Sequence, residues 1–399
     1  MVVAQPSDDD YRRSVRAFLL EHAASEGWLR DEFGLIPDDT APNDVRLHRQ
    51  RCCLSMLHEA GFGAISWPAE YGGQGLTNRH QVIFNQEVAH YSLPLSMFII
   101  GHGMCAPTLL AVGTDEQRSR YLRPLLAGTD IWCLLSSEPG AGSDLAQVQC
   151  RAEPDGDDWI VTGQKVWISG AHNSEFGLLL ARTDPTSTRH AGLSTFIVDM
   201  RSPGVDVRPL HDMTGAARFN EVFFDRCRLP SDAVLGKVGD GWRNAITTLM
   251  NERVSIGTSP GGFGHPCRAL IAEARRVGKI DDRLLVDRLV QLSIAERILE
   301  LLGKRVTESM LAGTQPGPEG SIAKLAGTKL SKDSAALAME IVGPSSIAWE
   351  SSANGGSWAN TQEHTVGLSI AGGTDEIQKN ILAERVLGLP REPRVKTNT

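Results

Sequence analysis

The stretch that decides the fold is residues 131–170, which read IWCLLSSEPGAGSDLAQVQCRAEPDGDDWIVTGQKVWISG. It opens with an apolar run that breaks into a glycine-rich loop at residues 136–144. Gly140 and Gly142 have no Cβ, so the loop backbone can approach a bulky ligand closely. Ser137 adds a hydroxyl, and successive loop N–H groups can form a concavity that binds anions. These features would allow the loop to bind a ligand.

The end of the same stretch, residues 161–170, predicts a strand that carries an aromatic ring and a hydroxyl to its tip. Its residues alternate in the β manner, with Val161, Gly163, Lys165 and Trp167 on one face and Thr162, Gln164, Val166 and Ile168 on the other. Trp167 is followed two residues later by Ser169. A flat aromatic side chain near a hydroxyl suits a planar ligand that forms hydrogen bonds.

Each motif by itself has a structural interpretation. Gly-Ala-Gly-Ser is common in turns, and a single glycine loop is weak support for a ligand. The loop is not the dinucleotide-binding fingerprint, because no third glycine opens a helix at the required spacing. A tryptophan at a strand end is usually part of the core. Taken separately, each motif favours a structural role.

Together, in this order and spacing, the two motifs resemble the acyl-CoA dehydrogenase family, in which they hold the isoalloxazine ring of FAD. The similarity extends over nearly the whole chain, from about Asp8 to Pro393. It implies an oxidoreductase of fatty acid or lipid metabolism that introduces an α,β double bond into an acyl-CoA thioester. The implied cofactor is FAD, with flavin N5 as the acceptor of the β-hydride.

The order of helical and strand-like patterns predicts an α+β protein with an acyl-CoA dehydrogenase-like architecture. We expect an N-terminal α-helical domain (1–129), a middle antiparallel β domain (130–235) and a C-terminal four-helix-bundle domain (236–399). Gly61 is expected to end a helix and Thr114 to cap one. Helices are predicted at 11–22, 45–60, 81–89, 104–112, 281–302, 321–342 and 377–387, and strands at 176–182, 193–200, 205–210 and 221–229.

Composition narrows the class of protein. The 399 residues exceed one small domain, and the net charge of −8 argues against a nucleic-acid partner. No apolar segment is long enough to cross a membrane, and residues 1–10 lack the pattern of a secretory signal. The seven cysteines are scattered and contain no Cys-x-x-Cys pair. We therefore expect a cytoplasmic protein with reduced thiols, no metal site and no membrane partner.

The α-proton of an acyl thioester is weakly acidic, so its removal needs a positioned carboxylate and donors for the thioester oxygen. Many family members carry the carboxylate in a Glu-Gly-Thr sequence near the C-terminus, but here Gly372 occupies the Glu position. Its backbone N–H can still donate to the thioester oxygen. Isovaleryl- and long-chain-type members instead place a Glu directly before an Arg, as Glu252 and Arg253 are placed here. Glu252 is therefore the predicted catalytic base.

Helical periodicity supports an inward position for Glu252. At roughly 100° per residue, Arg253 falls near the centre of an apolar face and Glu252 at its flank. Charged residues on such a face are costly unless they are paired or functional. A structural Glu–Arg pair is the alternative, and Asp375 and Glu376 are the rival bases in a first helical turn that favours acidic residues anyway. The apolar face is formed by Trp242, Ala245, Ile246, Leu249 and Met250.

The resemblance implies two sets of binding residues. FAD would be bound by Leu134, Ser136, Ser137, Gly142, Ser143, Trp167, Ser169, Arg275, Thr374 and Glu376. The substrate would be bound by Ser143, Arg253 and Gly372. Within the first set, Trp167 would flank the flavin ring and Ser169 would reach its N5 edge.

Two segments depart from the family pattern for FAD contacts between subunits. The usual Arg-x-x-Phe-Gly appears as Arg275-Arg276-Val277-Gly278, shortened and without the Phe. The usual Gln-x-x-Gly-Gly-x-Gly loop appears as Glu340-Ile341-Val342-Gly343-Pro344-Ser345-Ser346. Both departures weaken the prediction that a neighbouring subunit grips FAD, although Arg275 keeps its cation.

The resemblance also implies partners: an electron-transferring flavoprotein as electron acceptor, and a homotetramer built as a dimer of dimers. Three alternatives stay open, namely a same-fold acyl-CoA oxidase or flavin monooxygenase, a subunit of a heterotetrameric dehydrogenase, and a non-redox helical scaffold protein. The acyl group stays open among straight, branched, aromatic and sterol-derived chains.

Overall fold

The computed structural model describes residues 5–29, 41–187, 190–258, 266–312, 317, 320–347 and 355–391. The side chains at 253–258, 310 and 355–357 lie outside this description. The chain divides into two compact units, the first extending to Ser255 and the second beginning its main part at Ile256. The domain boundaries at 129/130 and 235/236 stay predictions.

Five helices open the first unit. The first three pack around buried apolar side chains such as Val15 and Leu57, and the fourth and fifth contribute Leu109 and Leu122 to a second cluster. Thr114 caps the fifth helix by accepting a hydrogen bond of 3.2 Å from Gln117 N, as predicted. The helix predicted at 104–112 begins instead as a π-helical turn, Gly101–Cys105. The five helices are α1 (Asp8–His22), α2 (Asn43–Glu59), α3 (Asn78–Val88), α4 (Ala106–Val112) and α5 (Asp115–Leu126).

An eight-stranded sheet follows, in the order β6-β7-β3-β2-β4-β5-β8, with β1 beside β4. Alternating apolar residues of its strands form the core, including Val161, Leu179, Phe196 and Val222. The strands are β1 (Trp132–Leu135), β2 (Arg151–Asp155), β3 (Asp158–Ser169), β4 (Phe176–Arg182), β5 (Leu193–Asp199), β6 (Val205–Leu210), β7 (Phe219–Leu229) and β8 (Val234–Leu235).

The sheet is mixed rather than purely antiparallel. Strand β1 pairs with β4 in parallel, and so does β2 at the single bridge Arg151–Arg182. A parallel pair needs a long crossover, and β2 and β3 together with their loops lie between β1 and β4 in the chain. The predicted class, helices followed by a β domain and more helices, is confirmed.

Helix α6 (Gly241–Thr258) follows the sheet, and the second unit is helical. Its core joins Leu270, Leu289, Leu337 and Ile341 from three helices. The helix predicted at 377–387 is a short α-helix followed by a π-helical turn, Leu382–Val386. The remaining helices are α7 (Pro266–Arg276), α8 (Arg283–Leu311), α9 (Gly320–Val342), α10 (Gly355–Leu368) and α11 (Asp375–Ile381).

Candidate active site

The glycine-rich loop and the end of β3 lie side by side in the first unit. Val166 N donates a hydrogen bond of 3.0 Å to Ser137 O, and Lys165 Nζ donates one of 3.1 Å to Ser136 O. Both carbonyls of the serine pair are therefore bound to the strand that carries Trp167. The two motifs that stand out in the sequence form one surface.

A buried ion pair between Lys165 and Glu138 joins the strand to the loop beneath this surface. Lys165 is fully buried, and its ammonium donates to Glu138 Oε1 at 2.7 Å. The backbone N–H groups of Gln149 and Cys150 donate to the two oxygens of Glu138, at 2.7 and 2.9 Å. A buried carboxylate with three donors is well satisfied, so the pair is stable only while both members are present. The sequence motifs contain both residues, but nothing in their spacing revealed the pairing.

Trp167 departs from the predicted strand alternation. Its backbone is left-handed, with φ of +61°, and its side chain is 56% exposed, whereas Lys165 two residues earlier is buried. The register against β7 shifts between Lys165 and Ile168, so a bulge reverses the faces of the following residues. The Trp167 ring lies edge-on to Phe219, with centroids 5.6 Å apart. Backbone strain of this kind costs on the order of 1–3 kcal/mol and is common at ligand sites.

Most other residues predicted to bind the planar ligand in this unit are accessible. Gly142 and Ser143 are exposed, and Leu134 is half-buried. A Cβ added at Gly140 or Gly142 would meet nothing within 4 Å, so open space adjoins the loop. The three serines predicted to contact the ring, Ser136, Ser137 and Ser169, are half-buried.

A small pocket with a cavity volume of about 20 Å³, partly open to solvent, adjoins the serine loop. It lies within the first unit and connects the end of β1 with helix α6. Its walls are mainly apolar, and three of its residues carry hydroxyls. The lining residues are Leu134, Ser136, Leu145, Leu178, Leu180, Thr195, Ala245, Thr248 and Leu249.

The inward face of α6 is only partly the predicted apolar face. Trp242 and Ala245 pack against a buried cluster and Leu249 lines the pocket, as expected, but polar side chains are buried beside them. Ile246 and Met250 are 39% and 40% exposed, whereas Asn244 and Thr248 are buried. The Asn244 amide donates to Leu235 O at 3.0 Å, and Thr248 Oγ1 lies 2.9 Å from Thr108 Oγ1. Helical periodicity missed these buried polar side chains because their polar groups are satisfied by partners far away in the chain.

Glu252 continues the buried line of α6. It lies four residues after Thr248 and three after Leu249, so it shares the helix face that lines the pocket. It is half-buried and does interact with other groups of the chain. The side chain of Arg253 lies outside the described residues. The placement of Glu252 is compatible with a base, and its role stays a prediction.

The second unit carries the segment where many family members place their base. Gly372 has a left-handed backbone, with φ of +64°, which strains any residue other than glycine. Its carbonyl accepts a hydrogen bond of 2.7 Å from Gln378 Nε2, and Gln378 is almost fully buried. The loop is therefore built around a glycine at this position.

The two rival bases and the helix cap occupy different surroundings. Asp375 is held by Lys324, whose Nζ lies 2.8 Å from Asp375 Oδ1. Burial raises the pKa of Asp375, but the hydrogen bonds from Lys324 and Ser369 and the charges of Lys324 and Lys332 together outweigh burial, so the pKa lies below its usual value. Glu376 is exposed, and Thr374 caps α11 by accepting from Ile377 N at 3.2 Å. A carboxylate with a lowered pKa is a weaker base, so Asp375 is less suited to take a proton.

The two segments that depart from the family pattern also lie in the second unit. Arg275 is exposed at the end of α7, and its neighbour Arg276 is paired with Glu273. Glu340 is held by Arg288, with one bond of 3.0 Å. Of these two neighbouring arginines, Arg276 is bound to a carboxylate, and Arg275 is the one predicted to contact FAD. Among the described helices, none is long and apolar enough to cross a membrane.

Known proteins match this chain along nearly its full length. Sequence models of three acyl-CoA dehydrogenase domains match it in order: the N-terminal domain at residues 6–129, the middle domain at 133–227 and the C-terminal domain at 239–387. Acyl-CoA dehydrogenase IpdE1 of Mycobacterium tuberculosis is 39% identical over 391 residues, which cover 97% of this chain and 99% of that protein. Acyl-CoA dehydrogenase FadE34 of the same organism is 40% identical over 340 residues, covering 84% of this chain and 46% of that protein.

Two solved structures share the fold. One, named Tcur3481-Tcur3483 steroid ACAD, matches with a TM-score of 0.80 and 26% identity and covers 98% of this chain and 100% of its own. The ChsE4-ChsE5 complex from Mycobacterium tuberculosis matches with a TM-score of 0.78 and 27% identity, with the same coverage of 98% and 100%. With all three domains matched in order and a relative 39% identical along nearly its full length, the chain belongs to the acyl-CoA dehydrogenase family of oxidoreductases.

Proposed function

We propose that this protein is an FAD-dependent acyl-CoA dehydrogenase that desaturates the α,β bond of an acyl-CoA thioester, with Glu252 as the base. The observation that carries the proposal is the pocket in the first unit. The serine loop forms one of its sides through Ser136, and α6 forms another through Thr248 and Leu249, one turn before Glu252. A base and a redox site that serve one substrate must adjoin the same cavity.

The groups of the loop and strand fit a flavin. An exposed tryptophan on a strained backbone offers a flat apolar surface, and the hydroxyls of Ser137 and Ser169 can bind the polar edge of a ring. Open space at Gly140 and Gly142 leaves room for the dinucleotide part. When bound, FAD supplies the two-electron acceptor for the hydride that leaves the β-carbon.

Glu252 would take the α-proton as a carboxylate. Proton transfer by a positioned base contributes roughly 10²- to 10⁴-fold to the rate. The backbone N–H of Gly372 would stabilise the negative charge that develops on the thioester oxygen. Leu134, Ser143 and Arg253 would contact the cofactor or the substrate. Thr374, Glu376 and Arg275 would serve the adenosine and pyrophosphate parts of FAD.

The test is the visible spectrum of the purified protein during anaerobic addition of acyl-CoAs. The panel contains straight, branched, aromatic and sterol-derived chains. We expect a flavin band that at least one acyl-CoA bleaches. Glu252→Gln should retain the band and slow the bleaching by roughly 10²- to 10⁴-fold. A colourless protein, or a band that no acyl-CoA bleaches, would contradict the proposal.

Matched variants identify the base. Glu252→Asp keeps a carboxylate but shortens its reach, so it should bleach at an intermediate rate. Asp375→Asn removes the rival carboxylate and should still bleach. Loss of bleaching in Asp375→Asn together with normal rates in Glu252→Gln would assign the base to Asp375 instead. Rapid oxygen consumption with substrate would identify the same-fold oxidase or monooxygenase.

For electron transfer and assembly, we infer an electron-transferring flavoprotein as acceptor and a homotetramer. The helix α8 supports assembly, since it exposes a row of aliphatic side chains at helical spacing, each between 38% and 52% exposed. Such a row usually marks a protein interface. Light scattering measures the mass of the assembly. The row consists of Val286, Val290, Ile294, Ile298 and Leu301.

A heterotetramer is the second candidate. Two of the solved relatives are named by two different chains, Tcur3481-Tcur3483 and ChsE4-ChsE5. The altered segments at Arg275–Gly278 and Glu340–Ser346 would then face a partner chain with its own complementary residues. Flavin content decides between the candidates: a homotetramer retains FAD when expressed alone, whereas a heterotetramer subunit retains it only with its partner.

A further inference from the structure

The pocket contains one hydroxyl group that the fold leaves without a partner. Thr195 in β5 lines the pocket and is only 4% exposed. Its Oγ1 makes no hydrogen bond to any described residue. A buried hydroxyl without a partner costs free energy. Other buried polar atoms of the described residues also lack a partner, but among them Thr195 Oγ1 alone belongs to a residue that lines this pocket. The orphan hydroxyl in a cavity therefore points to a ligand.

Thr248, on α6, also lines the pocket, but its hydroxyl has hydrogen-bond partners in the protein. Thr248 Oγ1 donates to Asn244 O at 2.9 Å and lies 2.9 Å from Thr108 Oγ1. Its hydrogen bonds are thus supplied by the protein. Of the nine residues that line the pocket, Thr195 included, five are leucines, whose side chains offer no polar group.

Ser194, the residue before Thr195 in β5, also has a hydroxyl with hydrogen-bond partners in the protein. Ser194 is fully buried, and its Oγ accepts from Gly239 N at 2.9 Å and lies 2.8 Å from Thr183 Oγ1. Adjacent residues of a strand point to opposite faces. The strand thus carries a satisfied hydroxyl on one face and an unsatisfied one on the face that lines the pocket.

We propose that Thr195 is a specificity-determining residue whose hydroxyl binds a carbonyl group of the bound acyl-CoA. This inference rests on the proposed function, since it takes the pocket to hold the thioester substrate. Rotation about the Cα–Cβ bond exchanges the Oγ1 and Cγ2 positions of threonine between staggered wells, so the hydroxyl can turn to a ligand at low cost. The carbonyl belongs either to an oxygen-bearing acyl chain or to an amide of the CoA arm.

Substitution by valine tests the proposal, because valine has the shape of threonine without the hydroxyl. Thr195→Val should melt at the wild-type temperature or higher, since no protein hydrogen bond is lost. It should bind acyl-CoA roughly 10-fold more weakly, because the ligand carbonyl then loses its donor. Dissociation constants are measured by calorimetry with octanoyl-CoA, 5-oxooctanoyl-CoA and 7-oxooctanoyl-CoA on holoenzyme that also carries Glu252→Gln, so that slow flavin reduction leaves the heat of binding resolved. Thr195→Ser, which keeps the hydroxyl, should retain the wild-type affinity.

The matched control is Ser194→Ala. It removes a satisfied hydroxyl that faces away from the pocket, so it should lower the melting temperature and leave the three dissociation constants unchanged. A uniform loss of affinity in Thr195→Val would locate the carbonyl in the part that the three compounds share, the thioester and the CoA arm. A loss confined to the oxo compounds would locate it in the acyl chain. Unchanged affinity for all three would overturn the proposal.

Failure of the inference is distinguishable from failure of the proposed function. Bleaching of the wild-type flavin tests dehydrogenation, whereas calorimetry tests binding alone. An enzyme that bleaches with octanoyl-CoA but whose affinity is unchanged in Thr195→Val refutes the role of Thr195 only.

Discussion

Two buried lysines, one in each unit, hold segments that are predicted to bind the cofactor or the substrate. In the first unit Lys165 binds Glu138 in the serine loop, and the lysine side chain is fully buried. In the second unit Lys324 binds Asp375 at the start of α11, next to the loop of Gly372, and the carboxylate is 21% exposed. Both distances are short, at 2.7 and 2.8 Å.

The difference lies in what surrounds the two carboxylates. Glu138 receives two backbone donors besides its lysine and is 7% exposed. Asp375 is open enough for water to replace a lost partner. A buried charge whose partner is removed keeps its full desolvation penalty, whereas a charge near water does not. The first pair therefore fixes a conformation, and the second adds a smaller, pH-dependent stabilisation.

Breaking the first pair should have the largest effect. Lys165→Met leaves the Glu138 charge buried alone, which typically costs about 3–5 kcal/mol. The serine loop would lose the bond to Ser136 O as well. We expect a clear fall in the urea midpoint of the first unit and a protein that loses its flavin band on gel filtration.

The double variant Lys165→Met/Glu138→Gln provides the control for buried charge. It removes both charges, so it should recover part of the stability lost in Lys165→Met. A double variant less stable than both single variants would show that the pair acts by packing rather than by charge.

Breaking the second pair should have an intermediate effect. Lys324→Met leaves the partly exposed Asp375 carboxylate without its lysine and should lower the stability of the second unit by about 1–2 kcal/mol at neutral pH, between the values of exposed and buried pairs. Because the pKa of Asp375 is lowered from its usual 3.8, its contribution is complete above that pH and is lost as the pH falls through the folded pKa. Wild type and variant should therefore converge in melting temperature in acid. A difference that stays constant from neutral pH into this range would contradict the ion-pair account.

A substitution in the loop of Gly372, beside the second pair, should have the smallest effect on stability. Gly372→Ala places a Cβ on a backbone with φ of +64°, which costs about 1 kcal/mol. Gly367→Ala in α10 is the matched control, since a Cβ there meets nothing within 4 Å. The control should be neutral or stabilise the helix by up to about 1 kcal/mol. Equal melting temperatures of the two variants would show that the left-handed backbone carries no cost.

Local sequence patterns were sufficient for most helices and strands. The strands Phe176–Arg182 and Val205–Leu210 were predicted at their observed bounds. The α-helix predicted at 104–112 starts only at Ala106, after a π-helical turn, and the sheet predicted as antiparallel contains parallel pairs. Both differences depend on packing rather than on local periodicity. The FAD and acyl-CoA assignments came from motif resemblance, and the roles of individual residues stay predictions.

The chain alone was enough to recognise the two motifs, because glycine loops and alternating strands leave a local signature. The contacts that make them a site needed the tertiary structure. Glu138 and Lys165 are 27 residues apart in the chain, and Thr108 and Thr248 are 140 apart. A bulge that turns Trp167 outward and a hydroxyl left without a partner at Thr195 depend on which distant groups arrive beside them. Periodicity describes the face of one element, whereas burial and hydrogen bonding are properties of two elements in contact.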